Sequence, residues 1–328
     1  MAEVTADQVR RWLVESCQAG CQDRLAGCFA KGPFAVRANS RLFYAQCSAV
    51  PSPLLVKLCL RPRTSQADAA SAQRQYDSLL RASQAMGDGS EFSVPRPYLV
   101  RGDIGLLATE WIPGTSMTDL IFSWRCGFGR AQDLVVRAAR WLSHFHACHA
   151  LAPGVLQLDK KLAFIAQMET SRAVSDPAFL EALLRLRKSA PFAAAVPLSR
   201  TWIHGDFKTD NLMVSGSRTV GIDIHLQHEA PMVFDLATFL NELELRLCYP
   251  SGWRLLACRL RLRQAFLSNY PQGNEQVMDL PLTWVRLYML LAKWHTASTN
   301  KRRAMRTRTR MFCYRTVALP LARKLARA

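Results

Sequence analysis

The stretch His204-Gly205-Asp206-Phe207-Lys208-Thr209-Asp210-Asn211 decides the fold of this 328-residue chain. It is polar, and it lies between two short apolar runs, Thr201-Trp202-Ile203 and Leu212-Met213-Val214. An apolar–polar–apolar pattern of this kind predicts a loop pinned between buried segments, where rigid neighbours can hold reactive side chains in place. We therefore expect the functional site to be built around this loop.

A second acid, Asp223, lies inside the apolar run Val220-Gly221-Ile222-Asp223-Ile224. Burying a carboxylate in such a run costs free energy unless the carboxylate meets a cation or a hydrogen-bond donor. Together with Asp206 and Asn211, it offers two carboxylates and a carboxamide to one ion. Mg²⁺ fits this set, because one or two protein oxygens usually hold it while phosphates and water complete the octahedron. The pattern predicts a magnesium–phosphate site.

Three ordered elements carry a family resemblance: His204-Gly205-Asp206 followed by Asn211, then Ile222-Asp223, then Asp235-Leu236-Ala237. In this order and spacing they resemble the core of the aminoglycoside phosphotransferase and choline kinase family, a small-molecule branch of the protein-kinase-like fold. The resemblance implies a phosphotransferase that uses ATP (or GTP) and Mg²⁺ to phosphorylate a hydroxyl group of a small molecule.

The implied fold is α+β and bilobal, with a small N-terminal antiparallel sheet lobe and a larger helical C-terminal lobe. Residues 1–112 would clamp the nucleotide, and residues 113–328 would carry catalysis and substrate binding. The sequence pattern agrees. Short apolar runs predict strands at 24–30, 33–37, 41–47 and 53–60. Helical spacing predicts helices at 66–86, 130–150, 159–170, 176–189, 231–247, 252–269 and 281–298.

The resemblance assigns catalytic roles in the 204–223 region. Asp206 is implied to be the base that orients the acceptor hydroxyl and takes its proton during phosphoryl transfer. Lys208 is implied to offset the negative charge that develops on the transferred group. Asn211 and Asp223 are implied to ligate Mg²⁺.

Nucleotide contacts are implied at two places in the N-terminal region. Lys57, alone in the apolar run Leu54–Leu60, stands where kinase-like folds hold the α- and β-phosphates of ATP. Glu110, Trp111 and Ile112 resemble the strand that joins the lobes, so their main chain is expected to contact adenine.

The chain departs from the family pattern at two points. Gln75 stands where the glutamate partner of the lysine is expected, and Asp77 or Asp68 is the alternative if the register is shifted. No G-x-G-x-x-G loop is present, and Gly27 and Gly32 bracket the residues expected to cover the phosphates.

Several histidines and one acid are expected to have structural roles. His204 and Asp235 are expected to brace the loop, and His146 is expected to pack near it. His225 and His228 are interpreted as loop residues in preference to transition-metal ligands.

Composition predicts a globular, cytoplasmic protein. The chain is 49% hydrophobic and 21% charged, which is typical of a domain with a sizeable core. Residues 1–20 contain the capping-box pattern Thr5-x-x-Gln8, which predicts an amphipathic helix and not an export signal. No run reaches the roughly 18 apolar residues of a spanning helix. Ten scattered cysteines without a C-x-x-C pair predict reduced, buried thiols.

Positive charge is concentrated toward the C-terminus. Residues 251–328 carry 16 lysines and arginines against two acids, which is +14 of the total +18. The segment is either a solvated basic face or a surface that attracts anionic partners. Pockets for cations such as aminoglycosides and choline are lined with acids, so this charge favours a neutral or anionic acceptor. A sugar phosphate or a lipid-linked saccharide would fit.

Residues 301–327 mix basic and apolar side chains, which leaves open a peripheral contact with an acidic membrane at its inner face. Pro320 is expected to interrupt any continuous amphipathic helix there. In the other interpretation, the apolar residues pack on the helical lobe and the arginines face water.

Two other functions compete with the small-molecule kinase. A non-catalytic kinase-like protein could bind acidic lipid or nucleic acid through its basic C-terminal region. The intact set Asp206, Lys208, Asn211 and Asp223 argues against lost catalysis, and no nucleic-acid-binding module is recognisable. A protein kinase is disfavoured because the A-P-E and D-F-G triplets are absent.

Overall fold

The computed structural model describes residues 4–18, 28–37, 39–47, 50–61, 66–87, 91–171, 176–224, 229–271, 275–299 and 304–326, without the side chains of 17–18, 275–277 and 304–308. The chain forms two compact units, Met1–Gly114 with Met213–His225 and Thr115–Leu212 with Leu226–Ala328. The domain boundary between residues 112 and 113 stays a prediction, because compactness alone does not show what folds as a domain. Within the described ranges, no helix combines the length and apolar composition needed to cross a membrane.

The described strands are, in chain order, β1 (Phe29–Arg37), β2 (Ser40–Gln46), β3 (Leu54–Cys59), β4 (Phe92–Ser93), β5 (Pro97–Arg101), β6 (Leu106–Glu110), β7 (Thr115–Ser116), β8 (Ala150–Gly154), β9 (Leu198–Trp202), β10 (Leu212–Ser215), β11 (Arg218–Gly221) and β12 (Glu229–Pro231). The described helices are α1 (Ala6–Gln18), α2 (Ala69–Met86), α3 (Met117–Ile121), α4 (Phe128–Ala147), α5 (Asp159–Thr170), α6 (Pro177–Ala194), α7 (Val233–Leu247), α8 (Trp253–Leu256), α9 (Arg259–Ser268), α10 (Glu275–Thr299) and α11 (Ala304–Leu325). Short strands come first and long helices follow, as the sequence predicts.

The main sheet of the first unit has the order β1-β2-β3-β6-β5 among the described strands, and every neighbouring pair is antiparallel. In β3, Leu54, Val56 and Leu58 are buried, and they pack in one core cluster with Val9 and Leu13 of α1. Successive side chains of a strand point to opposite faces. Lys57 therefore lies on the face of the central strand away from α1. The predicted capping box also forms, since Thr5 and Gln8 exchange backbone-to-side-chain hydrogen bonds of 2.9 and 3.3 Å.

The prediction of separate strands at 24–30 and 33–37 is wrong. The structure has one edge strand, β1, with an irregular register between Lys31 and Ala35. Gly32 has φ +126°, a conformation that side chains rarely adopt, and Pro33 follows it within the bulge. An edge strand tolerates a proline because the missing N–H removes no ladder hydrogen bond. β1 ends at Arg37 and β2 begins at Ser40 after a turn at Asn39, and residues 24–27 of the predicted first strand lie outside the described residues.

In the second unit, the helix predicted at 252–269 is wrong in one respect. The chain forms two helices, α8 and α9, which are separated at Ala257 and Cys258. Arg254 of α8 donates to the carbonyls of Ser123 and Cys126 at 2.8 and 3.2 Å. These hydrogen bonds attach the short helix α8 to the segment that follows α3. The pattern also did not predict the three-stranded sheet β12-β9-β8 that sits among these helices.

The prediction that Pro320 interrupts the C-terminal helix is wrong, because α11 runs continuously through it. Proline cannot donate to the carbonyl four residues earlier. That carbonyl, of Thr316, accepts from Nη1 of Arg259 at 3.4 Å instead. Val317, Leu321 and Leu325 are buried within this unit, so they are committed to its core. Peripheral membrane contact therefore stays a prediction, and it would depend on the basic residues of this segment. The side chains of residues 301–308 lie outside the described part of the chain.

Candidate active site

The loop of residues 204–211 is pinned by buried aromatic packing in the second unit. Phe207 has no exposed surface and stacks between Trp141 and Phe239, with ring centroids 5.6 and 5.3 Å away. His204 is also fully buried, edge-on to Trp141 at 6.0 Å. These contacts explain why one apolar aromatic residue, Phe207, stands among the polar residues of the loop.

Asp235, at the start of α7, holds the first residues of the loop. Its carboxylate accepts hydrogen bonds from the backbone N–H groups of His204 at 2.7 Å and Gly205 at 3.0 Å. It also lies 3.0 Å from Nε2 of His146, whose Nδ1 lies 2.7 Å from the hydroxyl of Tyr270. Burial alone would raise the pKa of Asp235, but the hydrogen bond and charge of His146, with His204, outweigh it and lower the pKa. Asp235 and the buried His204 therefore hold the start of the loop, and His146 packs beside it, which agrees with the structural roles expected for these residues.

The far end of the loop is anchored separately. The Thr209 hydroxyl lies 2.6 Å from that of Thr118 in a buried contact. Asp210 forms an ion pair with Arg246 of α7. The loop is thus fixed at both ends, which restricts the positions of the residues between them.

Asp206, Lys208 and Asn211 are brought together in this loop. Nζ of Lys208 lies 2.5 Å from Oδ2 of Asp206. Nδ2 of Asn211 donates to the same oxygen at 3.1 Å and to the Asp206 carbonyl at 2.9 Å. Because the Asn211 amide nitrogen is directed at Asp206, its Oδ1 is the atom that can ligate a cation. The Asp206 side chain is 42% exposed, so a substrate hydroxyl can reach it.

Lys57 and Asp223 are brought together in the first unit. Nζ of Lys57 lies 3.1 Å from Oδ1 of Asp223, and Nη1 of Arg37 lies 3.6 Å from Oδ2. These residues line one pocket of about 80 Å³. Asp223 has φ 55°, a left-handed conformation that is uncommon for a residue other than glycine but accessible to Asp. The local backbone therefore presents this partly buried carboxylate, 31% exposed, to two cations that compensate its charge.

Arg37 is a residue that the sequence pattern did not identify. It ends β1, at the turn into β2, and it meets Asp223 although the two are far apart in sequence. The residues expected to cover phosphates, between Gly27 and Gly32, lie instead before or inside β1, with Gly27 outside the described residues.

Gln75 lines the same pocket as Lys57, but its hydrogen bonds go elsewhere. Its Nε2 donates to Oγ of Ser71 at 3.0 Å and to Sγ of Cys59 at 3.6 Å. The two alternative acids are also engaged: Asp68 caps α2 by accepting from the Ser71 N–H at 3.0 Å, and Asp77 accepts from Gln73 at 2.9 Å. The partner of Lys57 in this structure is Asp223, and a role for Gln75 toward the nucleotide stays a prediction.

Gln75→Glu should fold and should tighten ATP binding by about 1 kcal/mol, since a charge-assisted contact to Lys57 would replace a neutral neighbour. The substitution is expected to be tolerated because the Ser71 hydroxyl, which accepts from Gln75, can instead donate a hydrogen bond to the glutamate carboxylate. Burial raises the pKa of the Cys59 thiol, which therefore also remains a donor. Calorimetric titration with Mg·ATP measures the effect, with Gln84→Glu on the exposed side of α2 as the matched charge control. Weaker binding by Gln75→Glu alone would contradict this expectation.

Glu110, Trp111 and Ile112 lie at and after the end of β6. The N–H of Glu110 donates to the Arg96 carbonyl at 2.8 Å, and that of Trp111 donates to the Pro53 carbonyl at 2.8 Å. If the main chain recognises adenine here, the carbonyl groups and the Ile112 N–H would make the contacts. This recognition stays a prediction.

His225 and His228, which were interpreted as loop residues, lie outside the described residues.

The sequence model of the Phosphotransferase enzyme family matches residues 38–275. The chain belongs to this family. The match spans both clusters, Lys57 with Asp223 and Asp206 with Lys208 and Asn211. The predicted family and the predicted enzyme class, a phosphotransferase, are confirmed.

The chain has the same α+β protein-kinase-like fold as several solved structures. A glucosamine kinase in complex with glucosamine, ADP and inorganic phosphate aligns with a TM-score of 0.60 at 15% identity, covering 98% of this chain and 84% of that one. A choline/ethanolamine kinase family protein from Mesorhizobium loti aligns at 0.59 and 14%, covering 98% and 95%. A thermostable aminoglycoside phosphotransferase mutant with AMP-PNP and hygromycin B aligns at 0.58 and 14%, covering 97% and 98%. A comparison with curated proteins finds no match.

Proposed function

We propose that this phosphotransferase transfers the γ-phosphoryl group of ATP, with Mg²⁺, to a hydroxyl group of a small molecule. The observation that carries the proposal is the cluster of Asp206, Lys208 and Asn211 on a loop fixed at both ends. The similar kinases named above support it, since one structure holds ADP and glucosamine and another holds AMP-PNP and hygromycin B.

The residues fit a magnesium ion by the chemistry of their donor atoms. Mg²⁺ prefers carboxylate and amide oxygens. Asp223 supplies a carboxylate balanced by Lys57 and Arg37, and Asn211 supplies an amide oxygen, because its nitrogen is engaged by Asp206. We assign these two residues as the metal ligands. When bound, the ion would neutralise phosphate charge and hold the phosphates in position.

In the proposed mechanism, the chain's own groups position the reactants and move one proton. Asp206 accepts the proton of the acceptor hydroxyl as the hydroxyl oxygen attacks the γ-phosphorus. The bond from that phosphorus to the β–γ bridging oxygen breaks, and ADP is the leaving group. Lys208 now pairs with Asp206, and with substrate present it offsets negative charge on the transferred phosphoryl oxygens. Lys57, which pairs with Asp223, would bind the α- and β-phosphates, and Arg37, which also pairs with Asp223, would add a second cation for them.

We infer that the acceptor is neutral or anionic, such as a sugar or a phosphorylated or lipid-linked sugar. The net charge of +14 over residues 251–328 supports this inference, since a cationic acceptor would be repelled.

A screen of hydroxylated compounds for Mg²⁺-dependent ATP consumption tests both parts of the proposal. Glucose, glucose 6-phosphate and glucosamine form a matched neutral, anionic and cationic series. Turnover restricted to amines would overturn the acceptor inference and leave the kinase proposal intact. Absence of turnover together with absence of nucleotide binding would overturn both.

A further inference from the structure

A second pocket lies wholly within the second unit, among α9, α10 and α11. Its volume is about 430 Å³, larger than the pocket at Lys57. Three cations line it, one from each helix: Arg263, Arg286 and Lys324. None of the residues assigned to phosphoryl transfer borders it, and the proposed mechanism makes no use of it.

The charges around this pocket do not balance among the described residues. Glu244 of α7 is buried, and it is the one carboxylate that faces three guanidinium groups. They are those of Arg286 at 2.9 Å, Arg259 at 3.7 Å and Arg263 at 3.8 Å. Among the described side chains that line the pocket, Asp279 is the one acid, and Lys324 is paired with it. Four cations therefore meet two acids, and the cluster keeps a net charge of about +2.

Arg286 shows that this charge is held inside the protein. Its side chain is 3% exposed. Nε donates to Oδ1 of Asn241 at 3.0 Å, and the Asn241 amide donates back to the Arg286 carbonyl at 3.0 Å. Nη2 lies close to Glu244 but without the alignment of a hydrogen bond. Burying an incompletely compensated cation costs free energy, and an anion that enters the pocket would recover part of that cost.

The remaining walls suit an organic group. Leu267, Leu282 and Leu321 line the pocket beside the cations. A ligand with one anionic head and a carbon skeleton would match both surfaces. A phosphate monoester carries about −1.5 to −2 charges at neutral pH, close to the excess charge of the cluster, and its oxygens suit the guanidinium fork.

We propose that this pocket binds a phosphate monoester with a partly apolar skeleton, at a site separate from the phosphoryl-transfer residues. The proposal does not depend on the function proposed above, because it uses none of the same side chains.

Calorimetric titration of the full chain with phenyl phosphate at low salt tests the proposal. Wild-type protein should bind, and binding should weaken with added salt. The double variant Arg263→Gln/Lys324→Ala should lose at least tenfold in affinity. Arg323→Ala is the control for the Lys324→Ala change, because it removes one positive charge from the neighbouring residue, outside the pocket lining. This variant should bind within about twofold of wild type. Unfolding curves establish that each variant is folded, and Arg263→Gln alone serves if the double variant is not.

Competition separates this site from the nucleotide site. Saturating Mg·ATP should leave phenyl phosphate binding unchanged, and so should Asp206→Asn. Three results would overturn the proposal: no binding up to millimolar phenyl phosphate, equal loss in the Arg323→Ala control, or displacement by Mg·ATP. Binding of phenyl phosphate with no effect of ATP would support it even if no phosphotransferase activity were found.

Discussion

Asp206→Asn should lower kcat by two to four orders of magnitude, the usual contribution of a positioned general base. The change is nearly isosteric, and the 2.9 Å hydrogen bond from the Asn211 side chain to the Asp206 main-chain carbonyl does not use the Asp206 carboxylate. The loop should therefore keep its place, and Mg·ATP affinity should stay within about threefold. The measurement is acceptor-dependent ADP release, with affinity taken from calorimetry.

Asp210→Asn is the matched control for this variant. It makes the same chemical change in the same loop, at a half-exposed carboxylate paired with Arg246. Such a pair contributes about 0–1 kcal/mol to stability and has no assigned role in proton transfer, so kcat should stay near wild type. If Asp206→Asn keeps more than a tenth of wild-type kcat, Asp206 is not the base.

Asp235→Ala should reduce the free energy of unfolding by about 3–5 kcal/mol, the cost of removing one partner from a buried charged network. The carboxylate is 1% exposed, and its loss leaves the N–H groups of His204 and Gly205 without their acceptor. Urea denaturation measures the change. Asp133→Ala, on the exposed side of α4, is the control and should fall within about 0.5 kcal/mol of wild type.

The effect of Asp235 should depend on pH in a defined direction. The pKa of Asp235 is lowered in the folded state from its ordinary value of 3.8. Its contribution to stability is therefore complete above about pH 4, where the unfolded carboxyl is ionised, and is lost as pH falls through the lower folded pKa. The difference between wild type and Asp235→Ala should shrink only at pH values below about 4. A difference that shrinks between pH 7 and 5 would contradict this assignment.

The sequence predicted those parts of the candidate site whose residues lie close together along the chain or within one strand. Asp206, Lys208 and Asn211 lie within six positions, so one anchored loop brings them together, and their spacing was enough to group them. Lys57 was found because a lysine between apolar strand residues is unusual, and the strand places it on a defined face. The resemblance to the family then supplied the pairing of these residues with phosphates and metal.

Contacts between distant segments could not be predicted from the same patterns. The hydrogen bond from His146 to Asp235 joins residues 89 apart, and that to Tyr270 joins residues 124 apart. The continuity of α11 through Pro320 depends on Arg259, which lies on another helix. The hydrophobic periodicity of the sequence cannot predict such contacts, because they form only when distant helices pack together.

Magnesium-dependent nucleotide binding is the measurement that tests the central claim most directly. ATP should be titrated into wild type and into Asp223→Asn, with Mg²⁺ and with EDTA. Asparagine tolerates the left-handed backbone of this position, so the variant changes charge while keeping φ near 55°. The account predicts that Mg²⁺ tightens ATP binding to wild type and has little effect on Asp223→Asn. It would be contradicted if neither ATP nor GTP bound to wild type with Mg²⁺, or if Asp223→Asn kept the full magnesium dependence.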